Sequence, residues 1–531
     1  MDIATPHGQY KPTMDPSETP PAIPMKPGAR NILTLCLMLA TLMQVLDSTI
    51  ANVALPYMQG SLSASYDQIT WVLTSYIATM AVCVAPVGWL AARFGRRPLL
   101  IACILGFTVT SMLCGVAASL TQMVVYRALQ GMFGAALVPL SQSTMLDIFT
   151  LKQRGSAMAL WGMGVMVGPI LGPTLGGWLT AAFDWRYVFF VNLPVGALAL
   201  VGMLFYMPKE NASRHLKFDW TGFAVLSVAL GALQIGLDRG EELDWLNSTF
   251  IITCLVLCCA GFYLFFVHML TAETPFIPRS LFKDRTFDAS LLGAFSIGMT
   301  LLASSALLAP YLETLSNYPV AQAGLVMSPR GAGTIGAMLL VGQLNGKIDP
   351  RLLLTFGNIV MLGSFWSMTG WTPDVSATTI MLTLLIQGAA MAFVFSPLQV
   401  LAFDTLPGSL RTQGASVLYL VRTVGSAIGI SLTSAILDHA TRTEHSVLAG
   451  YITPFTRPLQ TGTAGAAMLN LATPHGAALM DSIINTQAQI IAYADDYKFL
   501  LLISLPATLS VLLMSKPRNT VAAEPGEAVM D

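Results

Sequence analysis

The chain has 531 residues, of which 54% are hydrophobic and only 10% charged, and its mean hydropathy is +0.65. That excludes an ordinary soluble domain, where about a quarter of residues carry charge. The net charge of −1 gives no electrostatic footing for nucleic-acid binding, so the composition points to a polytopic membrane protein.

Residues 1–30 are polar and rich in proline (Pro6, Pro12, Pro16, Pro20, Pro21, Pro24, Pro27). They lack the apolar core of a signal peptide and read as a disordered cytoplasmic tail. Apolar runs long enough to cross a bilayer then recur. Spans are expected near 32–54, 69–91, 98–118, 123–146, 156–180, 187–207, 219–237, 249–269, 289–313, 321–342, 352–371, 377–402, 413–437 and 497–514. With the N-terminus inside, nineteen of the 27 Lys and Arg residues fall in cytoplasmic segments and five in outer ones. Arg127, Arg330 and Arg422 fall within spans. That asymmetry obeys the positive-inside rule and places both termini in the cytoplasm. The segment 438–496 is outside and long; within it Ala478–Tyr493 has apolar residues at helical spacing (Met480, Ile483, Ile484, Ile490, Ile491). It predicts an amphipathic helix on the outer face, which either only packs as a loop helix or binds a partner. The seven cysteines all lie in apolar runs and are expected to be reduced, packed thiols.

Four stretches carry chemistry. The first span, Leu35–Pro56, holds a single carboxylate, Asp47, beside Ser48, Thr49 and Asn52. A charge at that depth costs about 2.5–3.5 kcal/mol on insertion scales. Asp47 therefore either bonds a neighbouring helix or binds protons or substrate in a water-filled cavity. The fourth span holds Arg127 in Tyr126–Gly134, with Gln130, Met132 and Phe133 following. An arginine cannot shed its charge, so it needs an anion or water nearby. Asp47 and Arg127 lie at compatible depths, and either a static ion pair or a functional one suits them. The fifth span repeats glycine at 164, 168, 172 and 176, with Gly177, Pro169 and Pro173, which makes a flat face for close helix packing. The turn Gly88–Pro98 holds Gly95, Arg93, Arg96 and Arg97, small residues for a tight bend and arginines for the membrane surface.

That turn resembles the signature loop of the major facilitator superfamily, except that the family aspartate is Ala92, which implies loss of the usual charge relay. Leu46–Pro56, the Arg127 stretch, the Gly164–Gly177 pattern, Leu237–Gly240 and Arg422–Gly429 together resemble the fourteen-helix drug:proton antiporters, closest to EmrB-type multidrug exporters. The resemblance implies an all-α major facilitator fold: a six-helix bundle over 31–207, a two-helix insert over 208–270, a six-helix bundle over 271–515, and a cytoplasmic tail over 516–531. It implies proton-coupled multidrug export across the inner membrane, with Asp47 and Arg127 as the coupling pair. It implies an EmrA-type membrane-fusion adaptor and a TolC-like outer-membrane channel as partners. Gly88, Arg93, Gly95, Arg96, Gly168, Pro169, Gly172, Pro173, Gly176 and Gly177 would serve conformational change. Asn52, Gln130, Met132, Phe133, Arg330, Phe395 and Arg422 are expected at a substrate cavity. One buried carboxylate against three arginines favours lipophilic neutral or weakly acidic compounds over dications. No phosphate-binding glycine loop, zinc-protease or serine-hydrolase motif is present, so neither enzymatic activity nor a cofactor or metal is expected. A single-metabolite exporter of the same superfamily and a non-transporting membrane sensor or scaffold are the alternatives.

Overall fold

The computed structural model describes residues 23, 25–209, 217–345, 347–452, 469, 471 and 473–515. Among them, regular structure is helical apart from one isolated bridge between Asn345 and Ile348. Fourteen long helices follow in order. α1 is Pro27–Ser61, and α2 is Trp71–Val84 continued as Val87–Phe94 after a 56° bend at Pro86. α3 is Arg96–Gly115, α4 Leu120–Ile148, α5 Leu151–Ala182 and α6 Tyr187–Tyr206. α7 is Trp220–Arg239 and α8 Thr249–Thr271. α9 is Arg285–Leu315, whose last turn Tyr311–Leu315 is π-helical. α10 is Val320–Leu344, α11 Pro350–Met368, α12 Ala377–Asp404, α13 Arg411–Tyr451 and α14 Pro474–Ser510. By length and apolarity eleven cross a membrane unbroken, and the bent helices α2 and α5 make thirteen. α11, packed against α12 and α14, completes the set.

Local chemistry sets the helix starts. Ser119, Asp219, Asp284, Asp349, Ser376 and Thr473 each accept a hydrogen bond from a first-turn backbone N–H of the helix they precede. These bonds satisfy donors that the helix leaves open. Gly95, at φ 90°, ends α2 in a conformation that side chains resist.

The helix contacts show the internal repeat directly. In the first half α1 packs on α5 and α6, α4 on α2 and α3, and α3 on α6. In the second half α9 packs on α13 and α14, α12 on α10 and α11, and α11 on α14. Each contact maps onto its counterpart by adding eight to the helix number. The equivalence reaches single residues. A side chain at Gly131 of α4 would strike the backbone of Tyr76 on α2, and one at Gly388 of α12 would strike the backbone of Arg330 on α10. Both glycines follow a glutamine, Gln130 and Gln387. The fold is thus two six-helix bundles, α1–α6 and α9–α14. α7 and α8 pair with each other outside them, and α7 touches α2 and α13 through bonds from Thr74 to Asp238 and from Ser431 to the Leu237 carbonyl.

One end of the molecule gathers Arg96, Arg351 and Arg411, and both described chain ends meet there. Ile23 N–H donates to the Asp147 carbonyl, and Ser515 N–H donates to Thr286. This is called the basic end below.

Three expectations change. α1 begins at Pro27, inside the expected tail, of which most lies outside the described residues. The expected loop 438–496 is largely helix: α13 runs on to Tyr451, and α14 starts at Pro474. At 1.5 Å per residue these helices are about 60 and 55 Å long, far beyond a bilayer core of about 30 Å. Ala478–Tyr493 is therefore the leading half of α14 and does not lie flat on the membrane. The reason is its stripe Met480, Ile484, Ala488 and Ala492, which is buried within the protein where α14 runs beside α13. His445 and Asp481 join the two helices at 2.9 Å. Finally, six cysteines are buried or half-buried, but Cys259 is exposed on α8.

Candidate functional site

Asp47 of α1 and Arg127 of α4 are both completely buried, and Arg127 Nη1 donates to Asp47 Oδ2 at 2.6 Å. The other carboxylate oxygen, Oδ1, accepts from Gln130 Nε2 at 2.9 Å and from Asn192 Nδ2 at 3.1 Å. Arg127 Nη1 also donates to Gln130 Oε1 at 2.9 Å, and Nε donates to the Val72 carbonyl at 3.2 Å. Its guanidinium lies 4.1 Å from the centre of the Tyr76 ring. Asn192 reaches on to Ser111 at 3.0 Å. Helices α1, α2, α3, α4 and α6 all contribute, so the first bundle is built around this pair. Mutual neutralisation and the added hydrogen bonds are what make two buried charges tolerable.

A polar chain leads from the pair to the seam between the bundles. The Tyr76 hydroxyl lies 3.4 Å from Gln44 Nε2, and Gln44 Oε1 accepts from the Tyr419 hydroxyl of α13 at 3.3 Å. The Tyr419 ring lies 4.9 Å from the Arg422 guanidinium, which lies 5.5 Å from the Phe395 ring. In this conformation Tyr419, Arg422 and Phe395 line a small cavity, about the size of one water, together with Gln142, Gln399 and Leu418. Among the described residues no carboxylate pairs with Arg422 or Arg330. Arg330 instead donates to Ser305 at 2.8 Å and to the Leu301 carbonyl at 3.4 Å.

Towards the basic end the bundles are tied directly. Asp147, at the end of α4, accepts from Arg96 of its own bundle and from Arg411 of the other, each at 2.6 Å. Gln142 meets Gln399 at 2.5 Å, Ser156 donates to the Gly342 carbonyl at 2.6 Å, and Asn345 donates to the Gly155 carbonyl at 3.2 Å. Gly88 lies so close to Gln413 that a side chain there would collide with it. Position 92 offers no carboxylate, and the charge link across the seam is made here by Asp147.

The remaining expected residues are dispersed. Asn52 is exposed on the C-terminal half of α1. Met132 is exposed, and Phe133 packs over Gly106 of α3. Gly168, Gly172 and Gly176 seat α5 against Val45, Thr49 and Ile50 of α1, and Gly177 lies nearest Val53. Pro169 is half-buried beside Gly168, and the side chain of Pro173 lies outside the described residues. Arg93 is half-buried next to the Gly95 turn. Sequence reading passed over Gln44, Tyr76, Asn192, Asp147, Arg411 and Tyr419. Two of these carried a signal: Gln44 stands three residues before Asp47, and Tyr419 three before Arg422, so each pair shares a helix face.

Two symmetry-related bundles of membrane-length helices, with a buried ion pair joined by a polar chain to the seam between them, have the architecture of a transporter. The profile of the Major Facilitator Superfamily matches residues 37–430, and the chain belongs to that family. Multidrug export protein EmrB of Haemophilus influenzae is 34% identical over 93% of this chain and 97% of its own length. EmrB of Escherichia coli K12 is 35% identical over 81% of this chain and 85% of its own. Fatty acid resistance protein FarB of Neisseria gonorrhoeae is 35% identical over 88% and 92%. In fold, the chain is similar to the human organic anion transporter MFSD10, with a TM-score of 0.58 and 15% identity, covering 90% of this chain and all of that one. It is similar also to the proton:xylose symporter XylE, with a TM-score of 0.56 and 14% identity over 89% and 96%.

Proposed function

We propose that this protein is a proton-driven exporter of lipophilic neutral or weakly acidic toxic compounds, of the EmrB type, in a bacterial inner membrane. The observation that carries this reading is the buried Asp47–Arg127 pair joined through Tyr76, Gln44 and Tyr419 to the cavity at Arg422. The basic end faces the cytoplasm, because Lys and Arg concentrate in segments held there, and both termini share that side. In the conformation described the cytoplasmic side is held shut by Asp147 and its neighbours. A proton reaching Asp47 removes half of the ion pair. Arg127 then shifts against Tyr76, and the hydrogen bonds of Gln44 pass that shift to Tyr419 in the cavity wall. Substrate and proton thus act on one connected polar chain.

Arg422 supports the substrate class. A cation held between two aromatic rings, with no carboxylate beside it among the described residues, suits a compound with a large apolar body and one anionic group. The 35% identity to FarB supports acidic lipophiles in particular. For partners, the reading includes an EmrA-type adaptor and a TolC-like outer-membrane channel. The α13–α14 projection, with Val447 and Ile483 exposed, is the docking surface for the adaptor.

The test is a susceptibility panel on an efflux-deficient host expressing the chain, with and without a collapsed proton gradient. Resistance to lipophilic acids and neutral compounds is expected, and it should vanish with the gradient. Arg422→Gln is expected to lower resistance to the acids at least tenfold more than resistance to the neutral compounds. Resistance to dications alone, or resistance that survives loss of the gradient, would overturn the reading.

A further inference from the structure

The second bundle holds a carboxylate that no described residue neutralises. Asp496 of α14 is fully buried, and neither of its oxygens has a hydrogen-bond partner. It sits between Tyr493, one turn back, and Tyr497. Their rings lie 5.3 and 6.5 Å from the ring of Tyr311 on α9, and Tyr497 lies 6.1 Å from Trp371, which follows α11. The Tyr497 hydroxyl and the Trp371 indole N–H are likewise buried without partners.

The charged groups of every surrounding helix are accounted for elsewhere. On α14, Asp495 is tied to Lys498 at 2.8 Å on the exposed side. On α9, Glu313 is exposed on the π turn. On α13, Asp438 and Arg442 pair with each other at 2.7 Å, and His439 is exposed. On α10, Arg330 bonds Ser305. α11 brings Trp371, which does not titrate. The contrast with the first bundle is direct. Asp47 accepts three charge-stabilising hydrogen bonds, whereas Asp496 accepts none.

An isolated ionised carboxylate in such a site costs more than a fold can absorb, and the group takes a proton instead. We propose that Asp496 is a second proton-binding site, in the C-terminal bundle, filled in this conformation and separate from Asp47. Its proton has a short way to travel. Asp495 and Lys498, on the same turn, form an ion pair at the surface of the protein, so only one helix separates Asp496 from that surface. The neighbouring turn Tyr311–Leu315 is π-helical, a form that packs less regularly and recurs at functional sites. When that turn moves and water enters, the carboxyl gives its proton to water and remains as a hydrated carboxylate.

Two measurements on the purified full-length protein test this, and neither depends on transport. First, infrared spectra at neutral pH are expected to contain a protonated-carboxyl C=O band that Asp496→Asn removes and Asp495→Asn leaves in place. Second, dicyclohexylcarbodiimide, which reacts with protonated carboxyls in apolar surroundings, is expected to label Asp496 of the unaltered protein. That labelling should fall at least tenfold as the pH is raised and the site empties. The second measurement stands even if the Asn variant does not fold. A band unchanged in Asp496→Asn, or no label at Asp496 at any pH, would overturn the proposal. Loss of export with both results intact would count against the transport reading alone.

Discussion

Replacing Asp47 with asparagine is expected to abolish gradient-driven export while the protein remains in the membrane. The side chain keeps its shape and loses its charge. Asp47 now receives three donors, one each from Arg127, Gln130 and Asn192. An asparagine presents one acceptor oxygen and one NH2 group, so at least one donor must face another donor. Arg127 keeps its charge but loses the one anion it pairs with among the described residues, and its Nη2 already lacks a partner. Breaking one side of a buried ion pair costs about 3–5 kcal/mol. The first bundle also retains Gln130, Val72 and the Tyr76 ring around Arg127, so some of that cost is recovered within the bundle. What cannot be recovered is titration. In proteoliposomes with an imposed pH gradient, substrate flux through Asp47→Asn should fall to that of protein-free vesicles. Asp47→Glu should keep a measurable fraction, because it still titrates although its oxygens shift by one methylene. Substrate-driven proton movement in Asp47→Asn equal to that of the unaltered protein would remove Asp47 from the coupling role.

The sequence and the structure part company in an instructive way. Asp47 and Arg127 were legible because a charge inside an apolar run stands out at once. Their meeting at 2.6 Å was only permitted by depth, since helix rotation, which residue spacing along one span cannot supply, decides whether two side chains face each other. The two-bundle repeat was legible through counting and resemblance, and the paired glycines at 131 and 388 now give it a physical basis. The length of α13 and α14 was hidden for a simple reason. Hydropathy reports contact with lipid, not helicity. Past Leu437 the chain turns polar, through Asp438, His439, Arg442, Glu444 and His445, yet contains no proline or glycine before Gly450 to stop the helix. Asp496 was hidden by the same boundary. Beside Asp495 it looked like the polar edge of a loop, whereas one of the two faces water and the other the bundle interior. Asp147 escaped notice because its partner Arg411 lies 264 residues away, across the seam.

That seam carries the second large effect. Asp147→Asn is expected to open the basic end. Arg411 has a side chain only 1% exposed, and its Nε and Nη2 lack partners, so Asp147 supplies the anion that makes its burial tolerable. Arg154 lies buried nearby with a bond to the Leu146 carbonyl, and its like charge adds to the penalty once Asp147 is neutral. Arg96, at 14% exposure, reaches water more readily and would suffer less. The unpaired Arg411 costs about 3–5 kcal/mol while the bundles stay closed, and most of that is regained if they part and water reaches it. A shift of about 5.5 kcal/mol turns a 1:99 balance into 99:1, so the closed state loses most of its advantage. The readout is a thiol placed at Ser396, which is fully buried beside Asn345 where Asn345 bonds across the seam to Gly155, in a background from which the seven cysteines have been removed. An impermeant maleimide applied from the basic side should label it at least tenfold faster in Asp147→Asn, since each 1.4 kcal/mol is about a factor of ten. Arg411→Gln should behave alike, because it also deletes the cross-bundle pair. It removes the buried cation as well, so the closed state is less strained and the rise in labelling should be smaller. If Asp147→Asn leaves the rate unchanged, the hydrogen bonds of Gln142, Ser156 and Asn345 hold the seam without the charges, and the Asp147 link is not what keeps this end shut.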